Sequence, residues 1–221
     1  MKRSLLSVLL VVLAFVVSGC ATTRGVMEIQ TEESVNPASG QAVKIVQVVD
    51  QRIFEIRPPS PDIPSLKNNE INNPAITSRA IARKRNGYGK AIGDILLPEG
   101  QTVMDLVSDG LAKGLRDNGY RVVSESDPDF ADAVPLTVEI ETFWGWLQLG
   151  AWKLKVHYDT AIVVTGPLGP FADGEIFTSD VEMGFAIVNT ESWKKAIDAG
   201  LDELNQDIGA RLAEYRVATL N

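Results

Sequence analysis

The sequence predicts an α+β fold with two layers: a small mixed or antiparallel sheet with two helices on one face, in the order β-α-β-β-β-α. Two long stretches, residues 102–118 and 190–216, place apolar side chains at the three- and four-residue spacing of amphipathic helices. Three stretches between them alternate apolar and polar residues, which is typical of strands covered on one side. At 221 residues, the chain is long enough for one such domain with an appended segment.

The predicted first strand is residues 42–50, whose apolar run favours a buried strand: Val43, Ile45, Val46, Val48 and Val49. A long irregular loop is predicted over residues 57–76, because five prolines interrupt regular structure there: Pro58, Pro59, Pro61, Pro64 and Pro74. A structureless segment of this length inside a domain is usually either functional or mobile.

The first helix is predicted over residues 102–118, where Thr102 and Asp105 form a variant of the capping box. The second covers residues 190–216 and is long enough to cross a whole sheet. Its apolar stripe consists of Trp193, Ile197, Leu201, Leu204, Ile208, Leu212 and Tyr215. Strands are predicted between the helices at residues 136–140, 153–164 and 174–185, and a further short strand is considered at residues 120–124.

The N-terminus has the layout of a secretory signal peptide. Lys2 and Arg3 precede an apolar run over residues 5–17, and small residues then lead to Cys20. An uncleaved α-helical membrane span is the alternative, but it needs about 20 apolar residues, and this run is shorter. A secretory signal is therefore the favoured interpretation.

The end of this signal, Val17-Ser18-Gly19-Cys20, resembles a bacterial lipobox. The resemblance implies cleavage before Cys20 and acylation of that residue, and Ala21 after it implies sorting to the outer membrane. The domain would then face the periplasm and be held to the membrane by its lipid anchor. The chain accordingly divides into a signal peptide, a lipidated flexible tether and an α+β periplasmic domain: residues 1–19, 20–41 and 42–221.

The chain is acidic, with a formal net charge of −8. Removal of residues 1–19 takes away two positive charges and no acid, so the mature chain carries −10. This balance excludes a nucleic-acid binder, which needs a basic surface. Cys20 is the only cysteine and His157 the only histidine. We therefore expect no intramolecular disulfide, no metal site of ordinary ligand type and no cofactor.

Enzymatic activity has little support in the sequence. His157 falls on the polar face of a predicted strand, with no nucleophile and orienting acid beside it. Two carboxylate pairs, Glu139 with Glu141 and Asp180 with Glu182, each share a strand face, and a glycosidase would need two acids flanking a cleft. Lysines on the intervening strand favour cross-strand ion pairs instead. We expect no catalytic residues.

Residues 79–90 concentrate positive charge in this acidic chain. Five cations lie within twelve residues: Arg79, Arg83, Lys84, Arg85 and Lys90. Such a cluster fits an anion site for a lipid phosphate, a lipopolysaccharide core or an acidic partner, with arginine as the bidentate ligand. A solvated loop that balances nearby acids is the alternative.

Residues 143–152 hold three of the four tryptophans, Trp144, Trp146 and Trp152, in a predicted connection between two antiparallel strands. Tryptophans exposed on a hairpin suit a protein-binding hot spot, a sugar-stacking platform or insertion into a membrane interface. The alternative is that they fold back and cover the end of the core. We expect one of the three to do so and the others to be exposed.

Taken together, these features resemble the YajG-type family of outer-membrane lipoproteins over most of residues 43–215. The motifs that carry the resemblance are the lipobox at Cys20, the strand at residues 43–50, Arg83-Lys84-Arg85-Asn86, Gly93-Asp94-Ile95-Leu96, Asn118-Gly119-Tyr120 at the end of the first helix, and the long terminal helix. The resemblance implies a small α+β domain without known catalytic residues.

We expect a non-enzymatic accessory module of the cell envelope that binds an envelope protein partner through the tryptophan hairpin and the basic segment. A binding protein for a lipid, lipopolysaccharide or glycan is the first alternative, and a hydrolase of envelope polysaccharide is the second. A partner module should have a convex aromatic patch, and a ligand-binding protein a concave apolar pocket. A hydrolase should have a cleft that holds an acid of raised pKa.

Overall fold

The computed structural model describes residues 24–31, 34, 39–86, 88–150 and 152–219. This part of the chain forms eight strands and three α-helices, the first helix being a single turn. In chain order they are β1 (Gly25–Val26), β2 (Ala42–Asp50), α1 (Pro74–Thr77), β3 (Ala80–Arg85), β4 (Ala91–Leu96), α2 (Val103–Asp117), β5 (Arg121–Val122), β6 (Val134–Leu149), β7 (Leu154–Thr165), β8 (Glu175–Phe185) and α3 (Thr190–Thr219).

The long strand β6 lies at the centre of one mixed sheet. Along one edge it pairs antiparallel with β7, which in turn pairs antiparallel with β8. Along the other edge, its first half pairs parallel with β2 and its second half pairs parallel with β3. Beyond β3 the sheet continues with β4 and β1, and beyond β2 it continues with β5. The predicted α+β class is confirmed, with β1, β3 and β4 as strands that the sequence analysis missed.

Helices α2 and α3 pack against each other on one face of the sheet, as predicted. The capping box of α2 is present, because the Thr102 hydroxyl accepts from the backbone N–H of Asp105 while the Asp105 carboxylate accepts from the backbone N–H of Thr102. The core beneath the helices is fully buried and apolar; it includes Leu106, Leu111, Leu115, Phe143, Tyr158, Ile197, Leu204 and Leu212.

The opposite face of the sheet is covered by the segment between β2 and β3, residues 51–79. A second, smaller core forms there from Leu66, Ala80, Leu96, Trp144 and Trp146, with Phe54, Ile71 and Ile76 packed against it. The segment contains a 3₁₀ turn at Lys67–Asn69 in addition to α1. The irregular loop predicted at residues 57–76 is therefore a packed cover over half of the sheet.

Arg52 fastens this cover to the sheet. Its guanidinium is buried and donates to the carbonyl oxygens of Thr77, Ala80 and Phe143, at 2.9, 2.6 and 3.1 Å. The Asp50 carboxylate accepts two further bonds from the same group, at 2.7 and 2.8 Å. These carbonyls lie at the end of α1, at the start of β3 and in β6, so one buried side chain joins the end of the cover to two strands of the sheet.

The start of the predicted tether belongs to the folded domain. β1 pairs with β4, and Met27 and Ile29 are buried in the main core. The tether predicted over residues 20–41 is therefore wrong for residues 24–31. Two apolar side chains that alternate with polar ones are too weak a signal to be recognised as a buried edge segment from sequence. Cys20 and the signal peptide lie outside the described residues.

Candidate functional site

The tryptophans of residues 143–152 do not form an exposed patch. Trp144 is fully buried and Trp146 nearly so, and only Trp152 is exposed. Trp144 packs edge-on against Phe54, with ring centroids 5.9 Å apart, and Trp146 stacks on His157 at 4.9 Å. The prediction of two exposed tryptophans is wrong because β6 continues to Leu149, so that the supposed connection is a strand whose second face is covered.

The basic segment is a β-hairpin, β3 and β4, and not a loop. Within it, Arg79 and Arg83 have structural partners. Both Nε and Nη2 of Arg79 donate to the carbonyl oxygen of Leu97, at 2.9 and 2.7 Å. Arg83 is buried and lies 3.5 Å from the Asp94 carboxylate. These two arginines do not form the anion site predicted from the sequence.

Asp94 is the centre of a buried ionic cluster that joins three parts of the chain. Arg24 donates to it through Nε and Nη2, at 2.8 and 3.0 Å, and the backbone N–H of Lys67 donates at 3.0 Å. Burial alone would raise the pKa of Asp94, but these hydrogen bonds and the charges of Arg24 and Arg83 hold it below its ordinary value. The cluster ties the N-terminal segment and the cover to the sheet.

Lys84 and Arg85 instead line a cavity of about 410 Å³ at one end of the sheet. Its walls come from β1, from the end of β3 and the start of β4, from the β6–β7 hairpin and from the first turn of α3. The apolar part of the lining consists of Val26, Met27, Ile92, Ile95, Leu147, Leu154, Val188 and Trp193. The polar part consists of the two cations with Asn86, Asn189 and Thr190, and it includes no acidic side chain.

The two cations of this cavity are partly removed from water. Burial lowers the pKa of Arg85 and is also the main reason for the lowered pKa of Lys84. Arg85 Nη1 donates to the carbonyl oxygen of Gly89 at 3.1 Å, whereas its Nε is buried with no hydrogen-bond partner among the described residues. A partly desolvated guanidinium with an unused donor favours an anion beside it.

The N-terminus of α3 also faces this cavity, through Asn189, Thr190 and Trp193. Asn189 caps the helix by accepting from the backbone N–H of Ser192 at 3.0 Å. The positive end of the helix dipole adds to the charges of Lys84 and Arg85. The cavity thus combines an apolar wall with a positive polar corner.

His157 has a structural position. It stacks on Trp146, and its Nε2 lies 3.7 Å from Glu182, too far for a hydrogen bond. Burial lowers its pKa in spite of Glu182 and Asp180, which raise it. Glu182 forms an ion pair with Lys155 at 2.5 Å, so the cross-strand pairing predicted for this strand face is confirmed at that position.

One acid has a strongly raised pKa. Burial, followed by the negative charges of Asp180 and Asp62, raises the pKa of Asp159 to about 6. Asp180 lies directly opposite on β8, and Asp159 Oδ1 is buried without a hydrogen-bond partner among the described residues. Asp159 does not line the cavity at Arg85. No group of three or more histidine, cysteine or acidic side chains among the described residues is placed to hold a metal ion.

Sequence reasoning located Lys84 and Arg85 but missed the apolar wall. Leu147 belongs to the predicted connection over residues 143–152, Leu154 belongs to a predicted core strand, and Val188 and Trp193 come from a distant part of the chain. The alternation of a strand does not reveal that a side chain near its end faces a cavity. Two features of the site were visible in the sequence: the cluster of cations and the start of a long helix. That these two features lie side by side depends on the tertiary structure.

No family model matches the chain, and no curated protein matches it. Eight chains of solved structures are similar to it. One is an uncharacterized protein, 11% identical over 86% of this chain and 99% of its own, with a TM-score of 0.47. Another is protein XCC0632 from Xanthomonas campestris, of the DUF330 family model, 13% identical over 89% and 99%, with a TM-score of 0.47. The YajG-type family itself is not confirmed by these comparisons.

Proposed function

We propose that this chain is a lipid-anchored protein of the cell envelope whose domain is a non-enzymatic binding module for an amphiphilic anion. The observation that carries the proposal is the cavity at Arg85, in which two cations and an apolar wall meet without an acidic side chain. The chain has a net charge of −8, whereas the lining of this cavity is positively charged.

The sequence analysis preferred a protein partner bound by the tryptophan hairpin together with the basic segment. Burial of Trp144 and Trp146 removes that aromatic patch, and a concave apolar cavity is the feature expected of a ligand-binding protein. An envelope protein partner remains a prediction, without the surface on which it was based. The lipid-binding alternative is therefore the better supported of the two.

The membrane anchor in this proposal is the acylated Cys20, with the domain on the periplasmic side of the outer membrane. Support comes from the signal peptide and the lipobox-like motif that precede Cys20. None of the helices in the described part of the chain has the length and apolarity needed to cross a membrane.

The ligand chemistry follows from the lining. A volume of about 410 Å³ is in the lower part of the range for small-molecule sites, so we expect one apolar chain or ring system. An anionic group at one end, such as a carboxylate or a phosphate, would accept from Arg85 and Lys84. A lipid, a lipid fragment or an acidic glycolipid component has this combination.

The test uses the mature chain with Cys20→Ser, which needs no detergent, and an ω-brominated fatty acid as the probe. Bromine quenches tryptophan emission on contact, and Trp193 lines the cavity. We expect quenching by the acid that is absent in Trp193→Phe. Arg85→Gln and Lys84→Gln should each weaken binding of the acid about tenfold, because a charge-assisted hydrogen bond contributes about 1.5–3 kcal/mol.

Two matched controls define the outcome. The brominated alcohol of the same chain length lacks the charge, so its affinity should be the same in the unsubstituted chain and in Arg85→Gln. Arg79→Gln removes a cation of the same segment that lies outside the cavity and should leave affinity for the acid unchanged. Equal affinity for acid and alcohol, or an effect of Arg79→Gln as large as that of Arg85→Gln, would contradict the proposal.

A further inference from the structure

Three loops lie at one end of the sheet. Strands β3 and β6 are parallel, whereas β6 with β7 and β7 with β8 are antiparallel. The connections β3–β4, β6–β7 and β8–α3 must therefore be at the same end. We call the described residues of these connections, together with Leu149 at the end of β6, the tip surface: residues 86, 88–90, 149–150, 152–153 and 186–189. Asn86 and Val188 of this surface are part of the lining of the cavity at Arg85.

Each loop of the tip surface exposes a large apolar side chain. Tyr88 and Trp152 are 97% and 96% exposed, and Ile187 and Leu149 are also largely open to solvent. The first loop contributes Tyr88, the second contributes Trp152, and the third contributes Ile187, while Leu149 is the last residue of β6. These exposed side chains come from three separate loops and lie at the same end of the sheet. Tryptophan and tyrosine are the residues that favour the membrane–water interface.

The charge of the tip surface is opposite to that of the chain. Its three loop sequences contain Lys90 and Lys153 and no aspartate or glutamate, in a chain with 29 acids and 21 bases. Lys84 and Arg85 lie directly behind it in the cavity. The acids nearest to these loops along the chain are Asp94, which is buried and bound by Arg24, the half-buried Asp159, Glu182, which is paired with Lys155, and Glu191. A positive, apolar surface is complementary to anionic lipid headgroups.

The lipid anchor is close to the cavity along the chain, and β1 runs parallel to β4, in the direction that leads away from the tip surface. Gly25 and Val26 line the cavity, and five residue steps separate Gly25 from Cys20. Five steps of extended chain span at most about 18 Å. If Cys20 is acylated, as the proposed function requires, this wall of the cavity must lie within about 18 Å of the membrane that holds the anchor. A long tether that lets the domain stand away from the membrane is excluded by the docking of residues 24–31.

We infer that the tip surface docks on the lipid bilayer that holds the Cys20 anchor, with Trp152, Tyr88 and Ile187 at the level of the headgroups. Lys90 and Lys153 bind anionic headgroups beside them. The cavity at Arg85 then opens toward the bilayer, so that an amphiphile passes between the two with little exposure to water.

The main experiment uses the acylated mature chain in vesicles of phosphatidylethanolamine and phosphatidylglycerol, with or without bromine on the acyl chains. Trp152 is the exposed tryptophan of the four. Its fluorescence is obtained by subtracting the emission of Trp152→Phe from that of the unsubstituted chain. We expect brominated lipid to reduce this emission at least twofold. The same Trp152 emission in both kinds of vesicle would overturn the inference.

A second measurement removes the anchor. The Cys20→Ser chain should co-sediment with phosphatidylglycerol vesicles, and Ile187→Ala should reduce the bound fraction at least threefold. Ile176→Ala is the matched control, because Ile176 is also exposed but lies at the other end of β8. Lys90→Glu with Lys153→Glu should abolish binding. Equal effects of the two isoleucine substitutions, or no binding of the Cys20→Ser chain, would overturn the inference in favour of a protein partner or none.

The outcome is separable from that of the proposed function, because the two tryptophans report different events. Quenching of Trp193 without quenching of Trp152 would leave the cavity as a ligand site and refute docking. Quenching of Trp152 without quenching of Trp193 would support docking while the proposed ligand class fails.

Discussion

The two faces of the sheet are closed by different physical means. On the helix face, regular α2 and α3 satisfy most of their own backbone groups and cover a large apolar core, and polar contacts to the sheet such as that of Asp207 with the backbone N–H of Thr178 are few. On the cover face, residues 51–79 are largely irregular, and the contacts that hold them include Arg52, the Asp94 cluster and a hydrogen bond from Trp144 Nε1 to the carbonyl oxygen of Pro61. An irregular cover brings unsatisfied polar groups with it, and buried side chains must bind them.

The largest expected loss of stability follows from replacing a buried tryptophan, Trp144, and the comparison is with the exposed Trp152. Trp144→Ala removes the centre of the small core and should reduce the free energy of unfolding by about 3–5 kcal/mol. Trp152→Ala, the matched control at the tip surface, should change it by less than about 0.5 kcal/mol. Urea unfolding of both variants measures the difference. Equal effects would mean that the cover does not close over Trp144 in solution.

A smaller effect is expected on the helix face at Gly200 of α3. A β-carbon there would collide with the ring of Tyr158, which is fully buried and cannot move aside. Gly200→Ala should therefore destabilise the domain by about 1–2 kcal/mol, although alanine is the better helix former. Gly110→Ala in α2 is the control, because no atom lies within 4 Å of its added carbon, and it should stabilise by up to about 1 kcal/mol. Thermal unfolding of the two variants should show shifts of opposite sign.

The smallest effect concerns the charge held beneath the cover at Asp159. Its folded-state pKa of about 6 is above the ordinary value, so the native state binds more protons between about pH 4 and 6. The contribution of this group to stability is therefore lost as pH rises through that window. Asp159→Asn should stabilise the domain by about 1 kcal/mol at pH 7.5, after allowance for solvent screening, and by nothing at pH 4.

The measurement for Asp159 is urea unfolding of the variant and the unsubstituted chain at both pH values. A gain at pH 4 as large as at pH 7.5 would show that the effect does not come from the charge.

Much of the helix face could be predicted from the sequence. The first predicted strand, the bounds of α2 with its capping box, the start of α3 and the strand alternation in β7 and β8 are all local signals, and the structure has them. The burial predicted for the first strand is wrong, because only Val43 of β2 is buried and Val46 is half exposed. The basic hairpin was missed as a strand pair, because Arg83, Lys84 and Arg85 interrupt the period-two pattern. Their burial depends on Asp94 and on the cavity, which lie elsewhere in the chain.

The candidate site was predicted only in part. The cations Lys84 and Arg85 were singled out from their charge, but so were Arg79 and Arg83, which have structural partners. Sequence distance gives no way to separate these four arginine and lysine residues. What separates them is the tertiary structure around each side chain, which places Lys84 and Arg85, but not Arg79 and Arg83, in the lining of the cavity.

By itself, the sequence determined the fold class, the two long helices, the acidic net charge and the motif at Cys20, because each depends on residues that are neighbours in the chain. Only the tertiary structure decided that Trp144 and Trp146 are buried while Trp152 is exposed, and that two cations meet an apolar wall at one end of the sheet. The physical reason is that burial is a property of contacts between distant segments. An irregular cover of residues 51–79 leaves no periodic signal of the face that it covers.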